Sequence, residues 1–302
     1  MFPSCDSHSI AACPLNADYK RRAEAWSKIT SHLYIWHYIV NFAHYYVPFP
    51  NFRALAADMR FYRDIGVEGI YLQGMGAGGG GGEFSLLRPW YVTKLAWNPD
   101  LDGDALIQDF LQGYYKEAWE PIYTYMTMLH DKVENENTHM HLYTNPAQGY
   151  LTDAVLDEAK TLFDQAEAQV KDDETLLERV RVARMPLTYA NCFPRNGYRI
   201  EKETLHFNPP LADLTTISAF IERAQKHGFT SIRERQGELE LLFFLGLALN
   251  QPMEAPMISN GLLDVDVAPF LGGRVLRILD HETGQSVTGY NITRNLFFPF
   301  CG

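Results

Sequence analysis

Two β-dense segments separated by one amphipathic helix constrain the fold of this chain more than any other feature of its sequence. Leu33 to Val40 (LYIWHYIV) is crowded with β-branched and aromatic residues and reads as a buried strand. Val67 to Gln73 (VEGIYLQ) reads as a second strand. Between them Asn51 stands at a cap position. Leu55, Met59, Tyr62 and Ile65 then form the apolar stripe of a helix that Gly66 stops. After the second strand comes a loop with seven glycines between Gly74 and Gly82, and Glu83 to Trp97 returns to helix. Strand, helix, strand, loop, helix is the right-handed crossover pattern of parallel sheets and barrels. Two strands neither close a barrel nor cover both faces of a parallel sheet. The pattern therefore predicts that the rest of the sheet precedes Met1.

The remainder of the chain changes texture twice. From Asp102 to about Asn250 it is mainly helical in period. Helices are expected over Asp104–Tyr115 and Lys116–Val133, and along the stripes Leu151-Val155-Ala159-Leu162-Ala166-Val170 and Leu176-Val180-Ala183-Leu187. The last two pair across a turn at Lys171-Asp172-Asp173. Two more helices are expected near Leu214–His227 and Glu238–Leu249. Past Pro252, Leu262–Val267, Arg274–Asp280 and Gln285–Ile292 are short β-like runs, and about three strands fall below the size of a self-sufficient β domain. The expected division is 1–100 as the C-terminal strands and helices of a barrel, 101–250 as a helical region, and 251–302 as the beginning of a β-sandwich. The fold class is thus α/β: the C-terminal part of a TIM-type (β/α)8 barrel, a mostly α-helical region and the start of a sandwich.

Composition excludes some partners. With 26 basic against 37 acidic side chains the net charge is −11, and no basic stripe is present, so the surface repels phosphate backbones and nucleic acid is not an expected partner. No apolar run reaches membrane-spanning length. Residues 1–15 lack the basic and apolar regions of a secretory signal, so an exported parent would carry its signal upstream. Asn291-Ile-Thr293 fits a glycosylation sequon. The four cysteines, Cys5, Cys13, Cys192 and Cys301, are too scattered for a disulfide framework, although a Cys5–Cys13 bridge is open to an exported protein.

A set of separated matches carries a family resemblance. It comprises Cys13-Pro14-Leu15-Asn16, Trp26, Leu33-Tyr34-Ile35-Trp36-His37-Tyr38, Asn41-Phe42-Ala43-His44-Tyr45 and Pro48-Phe49-Pro50-Asn51. It continues with Gly66-Val67-Glu68-Gly69-Ile70-Tyr71, Gln73-Gly74, Leu87-Arg88, Leu95-Ala96-Trp97-Asn98-Pro99 and Phe110 to Tyr115. In these residues the chain resembles the family known as domain of unknown function 4838. That resemblance implies a glycoside hydrolase-like protein with a family 20-like or α-glucuronidase-like barrel, whose first strands and substrate-entry domain would lie outside this chain. Val267-Ala268-Pro269-Phe270-Leu271-Gly272-Gly273-Arg274 is similar to the opening of a mutarotase-type sandwich.

Barrel enzymes act at the C-terminal ends of their strands. Here those ends are Trp36-His37-Tyr38 through Asn41, and Gln73-Gly74. Trp36 or Tyr38 would offer a stacking platform, and Asn41 and Gln73 would hydrogen-bond sugar hydroxyls; core packing is the competing role of the two aromatics. Glycoside hydrolysis uses two carboxyl groups, and neither strand end holds one. Glu83 is the single carboxylate near the expected mouth, and the role of a helix N-terminal acid, favoured by the macrodipole, suits it better. His37 is a second catalytic candidate, set against an ordinary buried histidine. Arg88 would reach back to the mouth toward a uronic acid, or pair with a carboxylate of the barrel. The catalytic pair is expected upstream of Met1.

Gly74, Gly76 and Gly79 also fit the dinucleotide fingerprint, but within a glycine run that matches almost any spacing. A mobile lid explains the loop better. His139-Met-His141 puts two imidazoles on one strand face with no cysteine or carboxylate partner at metal-like spacing, so no metal and no cofactor are expected. The leading expectation is the C-terminal portion of a glycoside hydrolase acting on a poly- or oligosaccharide, inactive without the missing N-terminal part of the same polypeptide. The alternatives are a non-catalytic carbohydrate-binding protein on the same scaffold, and nucleotide binding through the Gly74–Gly82 loop.

Overall fold

The structure, a computed structural model, describes residues 2–75, 81–144, 149–191, 198–207, 214–234, 253–269 and 274–287. The crossover expected from the sequence is present. Helix α1 (Ala17–Ser27) leads into β1 (Leu33–Tyr38), α2 (Phe52–Asp64), β2 (Val67–Gln73) and α3 (Leu87–Trp97). Strands β1 and β2 pair in parallel, with Trp36 opposite Tyr71 and Tyr38 opposite Gln73. The fold is mixed α/β with small sheets, and among the described residues this parallel sheet has two strands.

Two helix boundaries move for local reasons. The sequence suggests a helix capped by Asp18 that runs through Arg22, Trp26 and Ile29 to near His32; helix α1 instead stops at Ser27, because Ile29 is exposed and no apolar stripe holds another turn. Helix α3 begins at Leu87 and not at Glu83, because Phe84 adopts a positive φ of 46°. Pro89 then falls in the first turn, where a missing N–H costs nothing.

The helical region follows as α4 (Gly103–Tyr115), a 3-10 turn at Lys116–Ala118, α5 (Trp119–Asn135), α6 (Asp153–Gln169), α7 (Glu174–Ala190) and α8 (Leu214–Lys226). Three N-termini carry side-chain caps. Asp102 accepts from the N–H of Asp104 and Ala105, Thr152 from Val155, and Asp173 from Leu176. Tyr125 and Phe163 meet edge to face, with ring centroids 5.1 Å apart, at the α5–α6 contact. The helical region also holds an unexpected hairpin, β3 (Tyr198–Glu201) and β4 (Thr204–Phe207), turned at Lys202 and Glu203 with φ of 47° and 58°. Strand β5 (Met253–Glu254) extends it. Strands of four residues are too short for the alternation of Tyr198 with Ile200 and of Leu205 with Phe207 to stand out as a period. The helix expected over Glu238–Leu249 lies outside the described residues.

A four-stranded antiparallel sheet ends the described chain: β6 (Met257–Ser259), β7 (Leu263–Ala268), β8 (Arg274–Asp280) and β9 (Ser286–Val287). It contains the strands expected past Pro252, preceded by β6, which the sequence did not suggest. Residues 288–292 of the last expected run lie outside the described residues. Among the described residues no helix is long and apolar enough to cross a membrane.

Candidate functional site

Period-2 alternation sends the β1 side chains to two different fates. Leu33, Ile35 and His37 point toward α2, whereas Tyr34, Trp36 and Tyr38 share the other face with Gly69, Tyr71 and Gln73 of β2. Trp36 and Tyr71 are 57% and 59% exposed although they occupy strand positions that a closed core would cover. Their rings meet at 4.8 Å in a T-shaped pair. The Trp36 indole N–H donates to the Gln73 side-chain oxygen at 2.7 Å, which fixes both groups across the strand pair. Gly69 has a structural reason: a Cβ there would stand 2.5 Å from the ring of Tyr34, so glycine lets that ring lie on the sheet. The aromatic surface continues from Trp36 to Tyr38 (6.4 Å), then Phe2 (5.9 Å) and His141 (5.5 Å). Each tyrosine and the tryptophan carries a polar handle at its rim.

The other candidates from the sequence sit elsewhere. Asn41 is buried; its amide donates to the Thr144 carbonyl, and its oxygen accepts from the N–H of Ala43 and His44. Every one of those bonds shapes the loop after β1. Glu83 and Arg88 are buried against each other as an ion pair, and Arg88 also donates to Asn51 and to the carbonyls of Ile39 and Phe49. Burial pushes the Glu83 carboxyl above its usual range, with the Arg88 charge working against that rise. Arg88 thus binds the post-β1 loop to α3. His37 is fully buried, hydrogen-bonded through Nδ1 to the Tyr62 hydroxyl, and held by burial down at about 4.

The glycine loop is described only at its ends. Gly76 and Gly79 of the fingerprint lie outside the described residues. At the far end a Cβ on Gly81 would meet the Tyr46 hydroxyl at 2.2 Å, and one on Gly82 (φ +152°) would meet the Tyr45 carbonyl oxygen at 2.6 Å. Close backbone approach accounts for glycine at both positions. Two clefts, of about 610 and 630 Å3, open on the helical side of the molecule. Neither is lined by Trp36, Tyr38 or Gln73.

A second constellation escaped the sequence reading. Cys5, His8, Cys13 and His139 bring one ligand atom each to within 4.8 Å of one another. Cys5 and Cys13 are both buried and free, not bridged. His139 lies in irregular chain after α5, not on a strand face shared with His141. The local signal was Cys5-x-x-His8, whose two-residue gap matches metal knuckles.

Residues 4–127 match the family model described as a domain of unknown function (DUF4838). That match spans α1, both parallel strands, α2, α3, α4 and the first half of α5. No curated protein and no solved structure matches the chain.

Proposed function

Since residues 4–127 match the DUF4838 family model and the exposed aromatic face lies within that stretch, we propose that this face is the carbohydrate-binding surface of a glycoside hydrolase-like protein. One observation carries the reading. Beyond the register irregularity at Leu33/Tyr34, the open side of β1–β2 carries Tyr34, Trp36, Tyr38, Gly69, Tyr71 and Gln73, with no aliphatic side chain among them. A sheet face meant to be covered by further barrel strands is dominated by Val, Ile and Leu. Rings with polar rims beside an oriented amide suit a ligand with C–H faces and hydroxyl edges. Trp36 and Tyr71 would stack on the sugar, Gln73 and the tyrosine hydroxyls would bond its edges, and Tyr38 would extend the platform. None of the six residues is a carboxylate, so hydrolysis requires an acid and a base from outside this face. The binding surface and the hydrolytic activity are therefore separable parts of the proposal.

The test is a titration of the full chain with a panel of neutral and acidic oligosaccharides, followed by tryptophan fluorescence and calorimetry. Saturable binding that weakens at least about fivefold in Trp36→Ala and Tyr71→Ala supports the platform, since stacking contacts of this kind contribute ~1 kcal/mol or more each. Absence of binding across the panel, or binding indifferent to both substitutions, removes the sugar-binding reading. Product release by the chain alone would place the acid and base within it.

A further inference from the structure

We propose that Cys5, His8, Cys13 and His139 bind one zinc ion, which ties the irregular N-terminal loop to the chain after α5. Distances make the first argument. Cys5 Sγ lies 3.4 Å from His8 Nδ1 and 3.3 Å from His139 Nδ1, and Cys13 Sγ lies 3.7 Å from His139 Nδ1. An ion bound tetrahedrally, about 2.3 Å from sulfur and about 2.0 Å from nitrogen, separates neighbouring S and N ligands by about 3.5 Å. These three separations match the edges of a zinc-sized tetrahedron, and all four ligand atoms lie within 4.8 Å of one another.

Donor chemistry selects the ion. Two thiolates with two imidazoles suit zinc and are poor ligands for magnesium or calcium, which take oxygen. Binding converts each S–H to a zinc–sulfur bond and releases two protons to solvent. The two thiolates then balance the dication, so no net charge is buried. Four protein ligands fill the tetrahedron and leave no open position for substrate, which makes the site structural.

Hydrogen bonds from residues outside the ligand set hold the backbone that carries the ligands. Asn16, fully buried at the end of the loop, accepts from the N–H of Ser4 and Cys5 at 2.9 Å each and donates to the carbonyls of Cys5 and His8. The Ser7 hydroxyl stands 3.2 Å from Cys5 Sγ, donates to the Thr138 carbonyl and accepts from the Met140 N–H. One side chain thus spans the two segments that supply the ligands. Asp6 N–H donates to the Met140 carbonyl at 2.7 Å, fixing the same junction on its other side. Residues 2–13 contain no helix or strand. A metal cross-link stabilises such a loop where secondary structure does not.

The experiment uses the full chain purified under reducing conditions, stripped with chelator and reloaded with zinc or cobalt alone. The expected results are one equivalent of zinc per chain by elemental analysis, and in the cobalt form thiolate charge-transfer and tetrahedral d–d absorption bands. Cys13→Ser and His139→Gln should lose the equivalent and alter the bands. A readout without variants runs alongside: zinc should slow alkylation of Cys5 and Cys13 at least tenfold in the wild-type chain, mapped by mass spectrometry. Metal content well below one equivalent after reloading overturns the proposal. So does equal alkylation with and without zinc, or a Cys5–Cys13 disulfide in the native protein.

Discussion

The Nε2 atom of His130 on α5 accepts the backbone N–H of Phe52, the first residue of α2, at 3.1 Å. Asn51 occupies the cap position but makes no side-chain cap, because its amide is committed to the Ile39 carbonyl and its oxygen to Arg88. A histidine from another helix therefore does what a cap residue does elsewhere. His130 Nδ1 donates to the Met126 carbonyl, so the ring is neutral with its proton on Nδ1. Protonating Nε2 would set two N–H groups against each other.

That geometry has a pH signature. Burial lowers the His130 pKa from 6.5 to about 4. Between those values the unfolded chain binds more protons, so stability is complete above pH 6.5 and falls as pH drops toward 4, by about 3 kcal/mol for this group. His37 and His44, lowered to about 4 and about 3 by burial, add to the same trend. Urea titrations at pH 7 and pH 5 should show a smaller loss in His130→Ala than in the wild type, from a starting stability lower by roughly 2 kcal/mol. Equal losses in the two proteins would contradict the assigned tautomer.

Arg88 and Glu83 form a buried ion pair on which the post-β1 loop depends, and its two halves are not equivalent to mutate. Arg88→Met leaves the Glu83 carboxylate uncompensated and takes the Arg88 donor from the Asn51 side-chain oxygen, while the Ile39 and Phe49 carbonyls keep the side-chain and backbone N–H of Asn51, for an expected loss of about 3–5 kcal/mol. Combining it with Glu83→Gln removes the buried charge and should recover part of that loss. Chemical denaturation of the single and double variants measures the difference. A double variant no more stable than Arg88→Met would mean that the carbonyl contacts, and not the charge, dominate.

Gly69 offers a substitution that perturbs the aromatic face while sparing the sheet. Alanine favours the strand slightly, yet its Cβ must displace the exposed Tyr34 ring. Thermal stability should stay within about 1 kcal/mol of the wild type. Oligosaccharide affinity should fall if Tyr34 belongs to the platform with Trp36 and Tyr71. Unchanged affinity would confine the platform to Trp36, Tyr71 and Tyr38.

Glu178 on α7 collects Arg223, Lys226 and His227 from the end of α8. Burial raises its carboxyl, but His227, Lys226 and Arg223 outweigh that and hold it at about 2. The cluster's contribution is present above the ordinary glutamate pKa of 4.5 and is lost as pH falls through 2. Because the cations are partly exposed, Glu178→Gln should cost no more than roughly 1 kcal/mol, and less in concentrated salt. Thermal melts at low and high ionic strength check both statements.

The sequence by itself determined what depends on near neighbours. The stripe Leu55-Met59-Tyr62 and the dense strands LYIWHYIV and VEGIYLQ marked a helix between parallel strands, because period and turn residues are local properties. It also marked Trp36 and Tyr38 as aromatics at a strand end, with a stacking platform and core packing both open. Tertiary structure decided the rest. It exposed Trp36 beside Tyr71, buried Arg88 against Glu83, and drew Asn41 into the loop after β1. It also brought His139 to Cys13 across 126 residues and to Cys5 across 134. Contacts at such separation leave no periodicity in the chain. They arise only when α5 packs on α2 and returns its C-terminal end to the first residues, and packing, unlike period, is a property of the whole fold.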